Sequence, residues 1–233
     1  MTLQQYYARL GLPEEAWHVG PEHPSLEELA LRILATTERA RILEVGVQSG
    51  GFAVPVVLAT ARRSGFAYTG IDSLDSTNAV PLRLISEYLA QHGVTEHLRF
   101  IESDSTAALR TLPQDSYDLI LLDHYKPKYP IDLREVLARG LLGAGGAIVV
   151  HDVLTHAAAD WKVCERVCRA FGYDWTIDPT VFNGAAIIRR APGAPVTPRR
   201  AFLLDVRARW WAHAAVLHSR RFAGRALRAL GLR

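Results

Sequence analysis

The stretch Glu44-Val45-Gly46-Val47-Gln48-Ser49-Gly50-Gly51 constrains this chain more than any other. The short apolar run Arg41-Ile42-Leu43 leads into it, and Phe52-Ala53-Val54-Pro55-Val56-Val57-Leu58-Ala59 can continue as a helix. The order is strand, glycine-rich turn, helix. In a parallel α/β sheet such a turn lies at the carboxyl end of a strand, where ligands bind. Glycine lets the backbone turn sharply and approach a ligand closely. The start of the helix leaves backbone N–H groups without partners in the helix itself.

The spacing Gly46-x-Gln48-x-x-Gly51 bears on which ligand. A dinucleotide fingerprint reads G-x-G-x-x-G, and its second glycine lets backbone meet pyrophosphate. Glutamine stands at that place here, which counts against a nicotinamide cofactor. Glu44, directly ahead of the turn, suits a cationic ligand. A tight strand–helix turn with no ligand is the plain alternative.

From Arg41 onward strand and helix patterns alternate. Strands are expected at 41–46, 67–72, 98–103, 117–123, 146–151, 174–178 and 184–189, and helices at 51–63, 79–92, 104–111, 131–140 and 157–171. The runs 117–123 and 146–151 are almost continuously apolar, as central parallel strands covered on both faces must be. The fold class is therefore α/β, a doubly wound, mostly parallel seven-stranded sheet of the Rossmann-like kind. The 233 residues suffice for one such domain with a sizeable core. The expected division is a helical segment at 1–40, the sheet domain at 41–190, and a linker with a basic tail at 191–233. Ser25 is expected to cap a helix, with Glu28 three residues on. Trp17 and His18 lie in a Gly/Pro-rich segment that could cover a site or simply pack on the surface.

Apolar content of 49% and charged content of 22% are ordinary for a globular protein. The N-terminus shows no basic-then-apolar signal pattern, so a cytoplasmic location is expected. Cys164 and Cys168, four apart in an expected helix, share a face and read as a reduced, packed pair. Residues 191–233 carry nine Arg and one Asp, whereas the whole chain has a net charge of only +3. The basic excess thus belongs to the tail and does not make the domain a nucleic-acid binder. Trp210 and Trp211 among those arginines suit an amphipathic helix. It could serve a homo-oligomer interface, self-packing or a membrane surface.

Polar residues close strand after strand. Asp72 ends the second, at the distance from Gly46 where an acidic residue meets ribose hydroxyls. Ser103 and Asp104 end the third, and Asp104 or Ser103 could also cap the next helix. Asp123-His124-Tyr125-Lys126 ends the fourth and His151-Asp152 the fifth. Four strands ending in acids beside one crevice point to a ligand site.

These residues carry a resemblance. Glu44-x-Gly46-x-x-x-Gly50 resembles motif I of class I S-adenosylmethionine (SAM) methyltransferases. The segment from Tyr117 through Asp123-His124-Tyr125-Lys126 to Tyr129 resembles the catechol O-methyltransferase family, whose pattern is D-x-x-x-L-D-H-W-K-x-x-Y. Val149-Val150-His151-Asp152-Val153 is similar to that family's L-L-A-D-N. The resemblance covers roughly residues 40–190. It implies that Glu44, Gly46 and Gly50, with Gln48 and Ser49 in the same turn, contact the methionine part of SAM. It implies that Asp72 holds the ribose, and that Ser103, Asp104 and His124 border the adenine, with Asp123 close by. Asp123 and Asp152 are implied as ligands of Mg²⁺ or a similar divalent cation, and Lys126 as the base that deprotonates the substrate. Val153 stands where the family has Asn and cannot ligate a metal. A two-carboxylate site could still hold Mg²⁺ through water; otherwise Lys126, His124 or His151 deprotonates alone. Asp178 is the nearest match in order to the family's acidic substrate-orienting residue. The expected activity is methyl transfer to a hydroxyl of a small-molecule acceptor. A non-catalytic SAM-fold binding module, or a nicotinamide-dependent oxidoreductase, are the alternatives.

Overall fold

The computed structural model describes residues 1–17, 22–73, 80–154 and 161–191. Seven strands form one sheet: β1 (Arg41–Val45), β2 (Ala67–Asp72), β3 (Leu98–Glu102), β4 (Tyr117–Leu122), β5 (Leu142–His151), β6 (Tyr173–Asp178) and β7 (Ala185–Arg190). Their order across the sheet is β3-β2-β1-β4-β5-β7-β6. The first five run parallel, and β7 pairs antiparallel with both β5 and β6. The seven expected strands are all present, with ends shifted by a few residues at most.

Helices cover both faces. On one lie α1 (Leu3–Arg9), α2 (Glu22–Leu34), α3 (Ala53–Thr60) and α4 (Leu82–Gln91); on the other, α5 (Ser105–Leu109), α6 (Tyr129–Ala138) and α7 (Trp161–Ala170). Side chains alternate between the faces along each strand, so β4 feeds two cores. Leu119 and Leu121 join the first cluster, Ile120 and Leu122 the second. All six residues of β4 are buried. The chain moves outward from β1 in one direction and from β4 in the other, so the carboxyl ends of β1 and β4 flank the topological switch point, where open α/β sheets bind ligands.

At the opposite end Arg41 ties β1 to β4. Its Nε and Nη2 reach both carboxylate oxygens of buried Asp118 at 3.0 and 2.8 Å, and its backbone N–H adds a third bond at 3.1 Å. Such a two-pronged Arg–carboxylate pair fixes geometry as well as adding energy.

Two local expectations are corrected. The α2 helix begins at Glu22, so Ser25 lies inside it rather than capping it, and its hydroxyl instead accepts from the Phe182 N–H at 3.1 Å. Pro24 is tolerated because a first helical turn has no internal donor to lose. The β5 strand starts at Leu142, four residues before the expected 146. Its Gly143-Ala144-Gly145-Gly146 run looks like a loop in sequence, but a Cβ on Gly146 would lie 2.7 Å from the Asp118 carbonyl oxygen. Close backbone approach, not loop flexibility, calls for glycine there. Cys164 and Cys168 are both buried on α7. His18 and the basic tail fall outside the described residues.

Candidate active site

The sequence-named residues converge on the switch point. Glu44 is the penultimate residue of β1, and the turn after the strand carries three positive φ angles, at Gly46 (98°), Gln48 (49°) and Gly50 (77°). Gly46 is packed against β4: a Cβ there would run into the Asp123 carbonyl and the His124 side chain. Any side chain at this position therefore pushes the two strand ends apart. The Gln48 N–H donates to Asp72 Oδ2 at 2.7 Å, tying the turn to the end of β2. Buried Ser49 presents its carbonyl to the Tyr7 hydroxyl at 2.9 Å, so α1 braces the turn from outside. The Ser103 N–H donates to the Asp72 carbonyl at 2.9 Å, joining β3 to the same rim.

Glu44 is 2% exposed, and its carboxylate accepts from the Tyr68 hydroxyl at 2.5 Å. Among the described residues no Lys, Arg or His pairs with it. Burial pushes its carboxyl up to about 8; the Tyr68 bond opposes this, and the nearby Asp123 and Asp72 charges add to it. A buried acid without a cation is costly, and a cationic ligand removes the cost.

Asp104 does cap α5, accepting from the Ala107 N–H at 3.1 Å, and it also forms an ion pair with Lys128. Burial acts to raise its carboxyl, and the Lys128 and backbone bonds outweigh that and hold it low. His124 is anchored in turn: its Nε2 donates to Asp132 Oδ2 at 2.7 Å, and its ring packs on Tyr129. Asp132 on α6 is fully buried and also accepts from Ser105 at 2.5 Å and from Thr106. One carboxylate thus clamps the start of α5 to the end of β4. Sequence reasoning missed Asp132; its only local signal is an acid within the apolar face of Tyr129, Leu133 and Val136.

The ends of β4 and β5 form a second cluster. Asp123, His151 and Asp152 each offer a ligand atom within 4.8 Å of the others, and these are groups that can hold a divalent cation. His151 Nδ1 is 3.1 Å from Asp123 Oδ2, and its Nε2 is 3.0 Å from the Phe182 carbonyl. Burial lowers the tendency of His151 to take a proton, but the Asp123 bond and the two acidic charges raise it by more. Lys126 forms an ion pair with Asp152, whose Oδ1 also accepts from Asn183 Nδ2 at 2.9 Å. Burial raises the Asp152 carboxyl; Lys126, His151 and Asn183 together bring it below its ordinary range. Asp152 itself sits at φ +63°, uncommon outside glycine, and Val153 after it enters the core at 3% exposure. Tyr125 is exposed beside this cluster in the chain. Asp178 is engaged elsewhere, with Arg32 at 3.2 Å and with Thr180, so it is not free to orient a substrate.

Residues 43–153 match a family model described as a methyltransferase domain. No curated protein compared with the sequence matches it. Solved structures similar to this chain share its fold. One from Corynebacterium glutamicum is 17% identical, covers 82% of this chain and 89% of its own, with a TM-score of 0.62. The methyltransferase PaMTH1 of Podospora anserina, bound to S-adenosylhomocysteine, is 20% identical, covers 81% and 87%, and scores 0.59. The O-methyltransferase TomG of Streptomyces achromogenes, in complex with SAM, is 19% identical, covers 81% and 87%, and scores 0.54.

Proposed function

We propose that this chain, a class I SAM-dependent methyltransferase, moves the methyl group of SAM to a hydroxyl of a small-molecule acceptor. The observation that carries the reading is buried Glu44, a carboxylate without a cation at the head of the glycine turn. In this reading Glu44 takes the ammonium of the methionine part, and Gly46, Gln48, Ser49 and Gly50 line it. Asp72 accepts from the ribose hydroxyls, and a carboxylate can accept from two adjacent ones. Ser103, Asp104 and His124 form the wall for the adenine.

Bound SAM supplies an electrophilic methyl on a sulfonium, and the protein must place an oxygen in line with it. The acceptor hydroxyl belongs beside Asp123, Lys126 and Asp152, which share one end of the crevice. Lys126 takes the hydroxyl proton once it has passed its own to solvent, and Asp152 holds the ammonium that results. Asp123 and Asp152, with His151 between them, have the donor set to hold a divalent cation, which would lower the hydroxyl pKa. Val153, buried in the core, does not contribute. A cytoplasmic location and a small phenolic, sugar or other hydroxylated acceptor complete the reading.

The test is transfer of labelled methyl from SAM to a panel of hydroxylated acceptors, followed by mass spectrometry. Methylated product with stoichiometric S-adenosylhomocysteine supports the reading. Tight SAM binding with no transfer to any acceptor class makes the chain a binding module instead.

A further inference from the structure

The last residue of β5 is a histidine whose two ring nitrogens face different things. Nε2 is 3.0 Å from the Phe182 carbonyl oxygen, which can only accept, so Nε2 carries a hydrogen. In the neutral ring Nδ1 then bears the lone pair. That nitrogen is 3.1 Å from Asp123 Oδ2 and 3.9 Å from Asp152 Oδ1. Lys126 already stands on Asp152, but a lone pair on Nδ1 and the Asp123 carboxylate repel one another unless a proton or a cation lies between them. The ring is 1% exposed and cannot turn away to solvent.

We propose that His151 Nδ1 is the third protein ligand of a divalent-cation site with Asp123 and Asp152, and that this imidazole shifts the site from Mg²⁺ toward Co²⁺ or Zn²⁺. The inference deepens the methyltransferase reading and rests on it only for the purpose of the metal.

The surroundings support it. A ligating histidine donates its other N–H to a carbonyl or carboxylate, which fixes tautomer and ring orientation; Phe182 provides that carbonyl. Asn183, the next residue, donates to Asp152 Oδ1 at 2.9 Å and so orients the second carboxylate. The two supports come from one segment, which is itself pinned to the ligand strand. The Leu154 N–H donates to the Asn183 carbonyl at 2.8 Å, and the Val153 N–H to that of Gly184 at 3.2 Å. Asp152 and Asn183 both hold positive φ, 63° and 58°, and strain of this kind persists where the surroundings dictate it.

The charge also fits. Two carboxylates, a neutral imidazole and the Lys126 ammonium sum to one negative charge, which a divalent cation reverses. Mg²⁺ prefers oxygen ligands and keeps its water, whereas imidazole suits zinc-like ions.

The full-length protein, freed of metal, is titrated with Co²⁺ followed by visible absorption, and with Zn²⁺ and Mg²⁺ by calorimetry. The wild type is expected to bind one Co²⁺ with d–d bands characteristic of a nitrogen ligand, and more tightly than Mg²⁺. His151→Ala should weaken Co²⁺ by tenfold or more. His151→Asn, which offers an amide oxygen, should lose Co²⁺ preference and narrow the Co²⁺/Mg²⁺ ratio. In the unmutated protein, Mn²⁺ should show ¹⁴N coupling by electron spin echo, a readout that needs no variant to fold. Absence of that coupling, or a Co²⁺ titration unchanged by His151→Ala, overturns the assignment. So does a wild type that binds no metal, in which case a proton bridges His151 and Asp123. Each of these leaves methyl transfer and S-adenosylhomocysteine binding, measured separately, to stand or fall by themselves.

Discussion

The Tyr68 hydroxyl stands 2.5 Å from the Glu44 carboxylate, both of them buried, on adjacent parallel strands. This bond is the only side-chain hydrogen bond holding Glu44 among the described residues. Tyr68→Phe removes the donor and leaves a buried acid unsatisfied, a loss of about 1–3 kcal/mol. Urea unfolding checks it. A variant as stable as the parent means that Glu44 reaches another donor or water.

Glu44 also sets a pH dependence. Its carboxyl is raised from 4.5 to about 8 in the folded chain, so the folded state keeps a proton that the unfolded state gives up. The stabilising contribution is complete below about pH 4.5 and disappears as pH rises through about 8. The ligand-free protein should therefore lose stability over that window, and Glu44→Gln should flatten the slope. S-adenosylhomocysteine, whose ammonium pairs with the ionised acid, should bind more tightly as pH rises and release a proton. Calorimetry in buffers of different ionisation enthalpy counts that proton.

Asp132 accepts from His124, Ser105 and Thr106. Asp132→Ala leaves those donors facing a void and should destabilise by several kcal/mol, since each buried donor left unsatisfied costs about 1–3 kcal/mol. Asp132→Asn should cost less and still weaken cofactor binding, because it disturbs the wall made by β3 and β4. Thermal unfolding and calorimetry separate the two effects.

Lys126→Met removes the proposed base from the Asp152 carboxylate. Turnover should fall by roughly 10²–10⁴-fold, with cofactor binding retained. If the rate is unchanged, Lys126 is not the base.

The sheet was legible because hydrophobic periodicity and glycine turns are local signals, and β1, β4 and their closing acids show both. The placing of the candidate site was legible to the same depth: Glu44, Asp72, Asp123 and Asp152 lie at or next to strand ends, and strand ends meet at the switch point. What holds those acids was not. Tyr68 is 24 residues from Glu44, and Asn183 is 31 from Asp152, with nothing in either local pattern to link them. Asp132 looks like one more helix acid until α6 is seen to turn it inward. The loss of Asn at Val153 was visible, but not that Val153 fills the core while His151, two residues earlier, faces the carboxylates.

Calorimetric titration of the 233-residue chain with S-adenosylhomocysteine at pH 8 decides whether Glu44 and the glycine turn hold the cofactor. One site of micromolar affinity or better is expected, weakened by Glu44→Gln and untouched by chelator. A folded protein that gives no binding heat with S-adenosylhomocysteine, while binding a nicotinamide dinucleotide, would contradict it.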